Sequence, residues 1–148
     1  MKAFLKKAWA TVGITGLIAI GLFGHLLYMN LRPADPILAG WQPYEAASFN
    51  ETLQNGDPML VEIYASWCPT CKAQHEAFET MVDNGTAPNI RAVRVDYDDD
   101  PAFLKRYGIR GTGILMLFDD GREIARAAGL TTPKRIQAFI SQHDLDKS

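Results

Sequence analysis

One hundred and forty-eight residues leave room for one domain of ordinary size, and 47% apolar with 22% charged residues is the balance of a folded chain. A net charge of −2 gives no general case for nucleic-acid binding, and two cysteines exclude a disulfide-dense scaffold while allowing one pair. The averages hide a split. Lys2, Lys6, Lys7 and Arg32 meet only Asp35 in the first forty residues, and every other acidic residue lies in 41–148.

No charged side chain occurs from Ala8 through Leu31. As a helix this run would extend roughly 36 Å, more than the core of a bilayer at about 30 Å. Trp9 and Tyr28 lie near its ends, where interfacial aromatic belts form. The apolar region of a cleaved signal peptide is shorter, about 7–15 residues. Gly24-His25-Leu26-Leu27-Tyr28-Met29 also offers no small-x-small cleavage site. The run therefore reads as an uncleaved transmembrane anchor over 8–31. The lysines before it place residues 1–7 in the cytosol and the remainder outside it. Residues 32–43 carry Pro33, Pro36 and Pro43 and read as an extended linker. Residues 44–148 are then the single folded domain.

Within that domain, Glu45 to Gln54 has a helical stripe of Ala46, Ala47, Phe49 and Leu53, closed by Asn55-Gly56. Met59 to Ala65 is a short apolar run suited to a central strand. From Pro69, the residues Ala73, Ala77, Phe78, Met81 and Val82 follow a helical period up to Asn84-Gly85. Ile90 to Val95 reads as a strand whose wetter face carries Arg91 and Arg94. Asp100-Pro101 opens a short helix to Tyr107, with Asp100 as its cap. Ile114 to Phe118 and Glu123 to Ala128 form a hairpin around Asp119-Asp120-Gly121. Thr132-Pro133 starts a last helix with Ile136, Phe139 and Ile140 on one face. Strands joined through helices should be parallel, and the closing hairpin adds an antiparallel pair. The expected fold class is α/β, a mixed sheet with helices on both faces.

Cys68-Pro69-Thr70-Cys71 falls where the central strand hands over to a helix. At a helix N-terminus the first cysteine meets free backbone N–H groups and the positive dipole end, which favour thiolate over thiol. The second cysteine, one turn on, can close a disulfide and is the more shielded. Cys68 is therefore the expected nucleophile and Cys71 the resolving thiol. Pro69 suits the first helical turn, and Pro69 and Thr70 together tune the access to and stability of the thiolate. Zinc uses the same cysteine spacing but needs about four ligands. With His25 in the anchor and His143 near the end of the chain, only His75 lies close enough in sequence to join the pair.

Tyr64-Ala65-Ser66-Trp67-Cys68-Pro69-Thr70-Cys71-Lys72 resembles the active-site turn of the thioredoxin family. Tyr107-Gly108-Ile109-Arg110-Gly111-Thr112, Leu115 to Phe118, Asp120-Gly121 and Gly129 are similar to that family's later hairpin and the glycine before its last helix. The resemblance runs in order over residues 44–143. It implies a thioredoxin-like fold and thiol–disulfide oxidoreductase activity through a mixed disulfide. The Pro-Thr dipeptide and His75-Glu76 are similar to the membrane-tethered thioredoxins of cytochrome c maturation. However, the stretch from Cys71 to Gly111 has no room for that subfamily's inserted elements.

The resemblance also places Glu62 at the family's buried acid, where a carboxylate can take the proton of Cys71. Glu62 differs from the usual aspartate by one methylene. Trp67 would flank the dithiol. Gly113 stands where the family has a cis-proline facing it, so Thr112 and Gly113 would line the substrate side with Trp67, Pro69 and Thr70. The Thr112–Gly113 bond is then either trans or a cis bond costing about 2.5–4 kcal/mol.

The expectation is thus a thioredoxin-like domain behind one N-terminal transmembrane helix. It would be single-pass in the inner membrane, with its domain in the periplasm. Its role would be that of a reductant of cysteine-containing protein substrates, re-reduced by a membrane or periplasmic electron donor. No cofactor is expected beyond the redox-active Cys68–Cys71 pair, and no resident metal. The alternative is a metal- or cluster-binding module in which Cys68 and Cys71, with His75, hold a soft ion.

Overall fold

The computed structural model describes residues 15–28 and 36–143. The chain divides into two units, Met1–Pro33 and Ala34–Ser148. In the first, residues 15–28 form helix α1, with every described residue exposed. Fourteen residues extend about 21 Å. Among the described residues no helix is long and apolar enough to cross a membrane. The rest of the expected anchor, 8–14 and 29–31, lies outside the described residues, as do 1–7 and the first part of the linker.

In the second unit the elements are β1 (Trp41–Pro43), α2 (Ala46–Asn55), β2 (Met59–Tyr64), α3 (Pro69–Asp83), β3 (Arg91–Asp96), α4 (Pro101–Tyr107), β4 (Ile114–Asp119), β5 (Arg122–Ala128) and α5 (Pro133–Ser141). The sheet order is β1-β3-β2-β4-β5. β3 is parallel to both β1 and β2, while β4 is antiparallel to β2 and β5. Asp120 and Gly121 both take positive φ, 52° and 75°, as the tight hairpin turn between β4 and β5 requires.

The linker gives way to folded chain earlier than its prolines suggest. Trp41–Pro43 is an edge strand on β3, and Leu38 is buried in the core. Pro43 is tolerated because an edge strand leaves some N–H groups unpaired. The boundary drawn at residue 43 therefore falls inside the domain.

Side-chain alternation along β2 and β3 divides the interior into two clusters. Met59, Val61, Ile63, Val93 and Val95 meet Phe49 of α2 and Phe103 of α4. Leu60 and Ala92 meet Ala77, Phe78 and Met81 of α3, and Ile136 and Ile140 of α5. The strands buried on both faces read as near-continuous apolar runs, as central strands covered by helices do.

Two sequence expectations need correction here. Arg91 and Arg94 do not share a wet face: three residues apart in a strand, they must point to opposite sides. Arg91 is exposed and donates to Gln42 Oε1 at 2.8 Å and to Ser48 Oγ at 2.7 Å, whereas Arg94 is buried. Asp100 stands at the N-cap of α4 but makes no side-chain bond to that helix. Its carboxylate accepts instead from the backbone N–H of Asp96, at 2.9 Å.

Candidate active site

α3 begins at the end of β2, so its first turn sits over the edge of the central strands. Cys68 is the N-cap residue, with extended backbone (φ −88°, ψ 113°), and Pro69 follows in the first turn. Cys68 Sγ accepts the backbone N–H of Cys71 at 3.1 Å. Sulfur thus does the work that a serine or aspartate oxygen does at an ordinary helix cap. The two cysteines are unlinked, with Cys68 4% exposed and Cys71 fully enclosed.

That difference in exposure separates their chemistry. Burial, with the Cys68 side chain and the Glu62 charge nearby, pushes the Cys71 thiol up to about 12. Cys71 Sγ also points to the carbonyl of Ile63, at 3.8 Å, consistent with a protonated thiol as donor. Cys71 therefore cannot ionise unaided at neutral pH. Cys68 has the helix start beside it and keeps a small exposed fraction.

The surroundings of the pair come from three other segments. Trp67 is 41% exposed; its Nε1 donates to Asp98 Oδ2 at 2.8 Å, and its ring packs edge-on against Tyr97. The indole is thereby held as a rigid apolar wall beside Cys68. Thr70 meets Gly113: a Cβ built on Gly113 would lie 2.8 Å from Thr70 Cγ2 and 3.9 Å from Cys68 Sγ. Gly113 has φ +68°, and among the described residues no peptide bond is cis. The Thr112–Gly113 bond is therefore trans. The N–H of Gly113 donates to Ile63 O at 2.9 Å, a bond a proline could not make. Its carbonyl accepts from Gln74 Nε2 at 3.3 Å and from Gly129 N at 3.0 Å. Glycine here is a requirement of left-handed backbone and close approach.

Beneath the dithiol, Glu62 is fully enclosed on the α3 side of β2. It lies in register with Arg94 of β3, whose Nε donates to Glu62 Oε2 at 2.9 Å. The structure therefore brings together Cys68, Cys71, Glu62, Trp67, Thr70 and Gly113. Pro69 is exposed at the rim and Thr112 is half-buried beside the turn.

Three further residues join the site that the sequence pattern does not point to. Arg94 reads from sequence as a residue of a wet strand face. The available signal was parity, since Ala92 and Arg94 share the side on which β2 carries its lone acid. Gln74 anchors the Gly113 turn, and Asp98 anchors Trp67; both depend on contacts distant in sequence. His75 is not directed at the cysteines. Its Nδ1 lies 3.1 Å from Arg94 Nη2, and its Nε2 lies 3.2 Å from Glu79 Oε1. Among the described residues no group of three His, Cys, Asp or Glu side chains converges as a metal site. The proposed trio of Cys68, Cys71 and His75 is therefore not assembled, because the His75 ring is engaged by Arg94.

Comparison with known proteins agrees with this geometry. The sequence model of the family described as Thioredoxin matches residues 41–142. Thioredoxin-2 of Pyricularia oryzae is 33% identical over 96 residues, covering 65% of this chain and 54% of that one. Thioredoxin of Chlamydia caviae is 31% identical over 98 residues, covering 66% of this chain and 93% of its own. The chain spans about half the length of the fungal relative and nearly all of the bacterial one. Among solved structures, Trxlp from Edwardsiella tarda matches with a TM-score of 0.60 at 31% identity, over 66% of this chain and 95% of that chain. On fold, dithiol geometry and sequence match alike, this chain belongs to the thioredoxin family of thiol–disulfide oxidoreductases.

Proposed function

We propose that this protein is a membrane-tethered reductant of protein disulfides outside the cytosol, in the periplasm of a bacterial source. The observation that carries the redox chemistry is Cys68 Sγ at the cap of α3, accepting an amide N–H, with Cys71 enclosed one turn behind it. The tether reading is supported by the uncharged run 8–31 behind three lysines. The Cys-Pro-Thr-Cys sequence with His75-Glu76 favours a setting in cytochrome c biogenesis.

In the reducing direction, the Cys68 thiolate attacks one sulfur of a substrate disulfide. A Cys68–substrate disulfide forms, the substrate S–S bond breaks, and the first substrate thiolate leaves. Cys71 then passes its proton to the Glu62 carboxylate, and its thiolate attacks Cys68 Sγ. The second substrate thiolate leaves and the Cys68–Cys71 disulfide forms. Two electrons have moved to the substrate, and a dithiol donor at the membrane must return them. The wall of Trp67 and the turn of Thr112 and Gly113 flank the docking strip.

The test is capture. A Cys71→Ala protein expressed in its own cell should accumulate mixed disulfides that vanish on reduction and in the Cys68→Ser/Cys71→Ala double variant. Absence of Cys68-dependent adducts rejects the enzyme reading. Retention of the protein in membranes after an alkaline wash, with its domain reached by an impermeant protease from the outside, tests the tether. Release into the wash rejects it.

A further inference from the structure

The Arg94 guanidinium is gripped on three edges and one face. Nε bonds Glu62 at 2.9 Å, Nη1 donates to the Pro36 carbonyl at 3.3 Å, and Nη2 lies 3.1 Å from His75 Nδ1. Its plane covers the Tyr64 ring, with Cζ 4.2 Å from the centroid. Arginine has donors only, so His75 Nδ1 must be the acceptor in this contact. The proton of the neutral ring is then on Nε2, where Glu79 Oε1 receives it at 3.2 Å. His75 is 5% exposed, and its side chain closes one wall of a groove of about 400 Å³ between α3 and Pro36–Ala39. A relay of contacts therefore runs from that groove through His75 and Arg94 to the carboxylate under Cys71.

We propose that His75 is a positioning residue for the dithiol reaction: its Nδ1 lone pair holds Arg94 in the orientation that pairs with Glu62, and so sets how readily Glu62 takes the Cys71 proton. This rests on the reading of Glu62 as the proton acceptor. A cation at hydrogen-bond distance favours an ionised carboxylate, and an ionised carboxylate is the form that can accept. Without the His75 acceptor the guanidinium loses its contact on Nη2 and settles differently against Glu62, with Pro36 and Tyr64 still holding it. Protonating His75 at Nδ1 would have the same effect, because two donors would then face each other. The charged and titratable groups around the ring are Arg94 from β3, with Glu62 of β2 behind it, and Glu79, Asp83 and Cys71 from α3 itself. Pro36–Ala39 contributes no titratable side chain.

The experiment follows the reduced full-length protein in detergent micelles after mixing with dithiobis(nitrobenzoate) in a stopped flow. The first thionitrobenzoate release reports attack by Cys68, and the second reports resolution by Cys71. In His75→Leu the first release should be unchanged. The second should slow roughly tenfold near neutral pH, its pH midpoint moving up by about one unit. His75→Gln, whose side-chain carbonyl can accept from Arg94, should restore most of the rate and the midpoint.

A second release in His75→Leu that coincides with wild type overturns the proposal. So does equal slowing in both variants with equal loss of thermal stability. Glu62→Gln separates the two levels. If it leaves the second release untouched, the acceptor reading itself fails. If it slows that release while His75→Leu does not, only the role of His75 fails. Should His75→Leu not fold, nitrogen NMR of the wild-type ring decides: a proton on Nε2 supports the proposal, and a proton on Nδ1 overturns it.

Discussion

The two faces of the sheet are filled differently. Toward α2 and α4 the interior is apolar and aromatic, with Phe49 edge-on to Tyr44, Phe103, Tyr107 and Phe118. Toward α3 the same strands carry Glu62 and Arg94, and the helix adds Cys71, Gln74 and His75, all buried. One face gains stability from area and ring geometry, at about 25 cal/mol per Å² removed from water. The other accepts desolvation of charge and places a carboxylate below a thiol. Stability and chemistry are thus separable by face, and substitutions should divide accordingly.

The largest effects should come from breaking each face at its centre. Phe49→Ala should cost roughly 3–5 kcal/mol in urea unfolding of the domain, because its cavity lies among four rings. The thionitrobenzoate kinetics of the remaining folded protein should stay at the wild-type rate. Arg94→Met should cost a similar amount, about 3–5 kcal/mol, by leaving a buried carboxylate without its cation. It should also slow Cys71 resolution. The comparison sharpens in the double variant Glu62→Met/Arg94→Met, which should regain most of the lost stability while the slow resolution persists. If stability and resolution recover together, the division between faces is wrong.

A smaller effect is expected at Gly113. Gly113→Ala puts a Cβ 2.8 Å from Thr70 Cγ2 on left-handed backbone. It should cost on the order of 1–3 kcal/mol and slow alkylation of Cys68 by crowding its approach. The smallest effect is a pH trend. The folded, reduced protein holds the Cys71 proton to about 12, whereas an unburied cysteine thiol loses it near 9.0. The native state therefore binds more protons across that window, and reduced-state stability falls as pH rises through it. The oxidised protein has no such proton to lose. A denaturation series from pH 8 upward should show the reduced protein losing stability relative to the oxidised protein only above about 9. Parallel curves would contradict the enclosed thiol.

Much of this was legible before any coordinates. Apolar pattern located α2 to α5 and β2 to β5 within a residue or two, because helices bury one face and central strands bury both. The cysteine pair was legible for a local reason: a helix start and its capping sulfur lie within four residues. What escaped was nonlocal. β1 is only Trp41–Pro43, too short and too rich in turn-formers to show a period. Arg94 looked like a solvated strand residue, since a charge carries no mark of the partner that permits its burial. His75 shows in the sequence what it can ligate but not what it faces.

The amino-acid order alone determined the order of elements and the two thiols, since backbone periodicity and helix capping are short-range physics. Packing decided the rest. Only when β2 and β3 lie side by side does Glu62 find Arg94, and only when α3 covers them does an imidazole reach the guanidinium. Likewise, only the return of the chain to Ile63 decides that Gly113 is trans and hydrogen-bonded. A buried charge or a strained turn is tolerable solely through partners brought from elsewhere in the chain, and those partners are a property of the assembled fold.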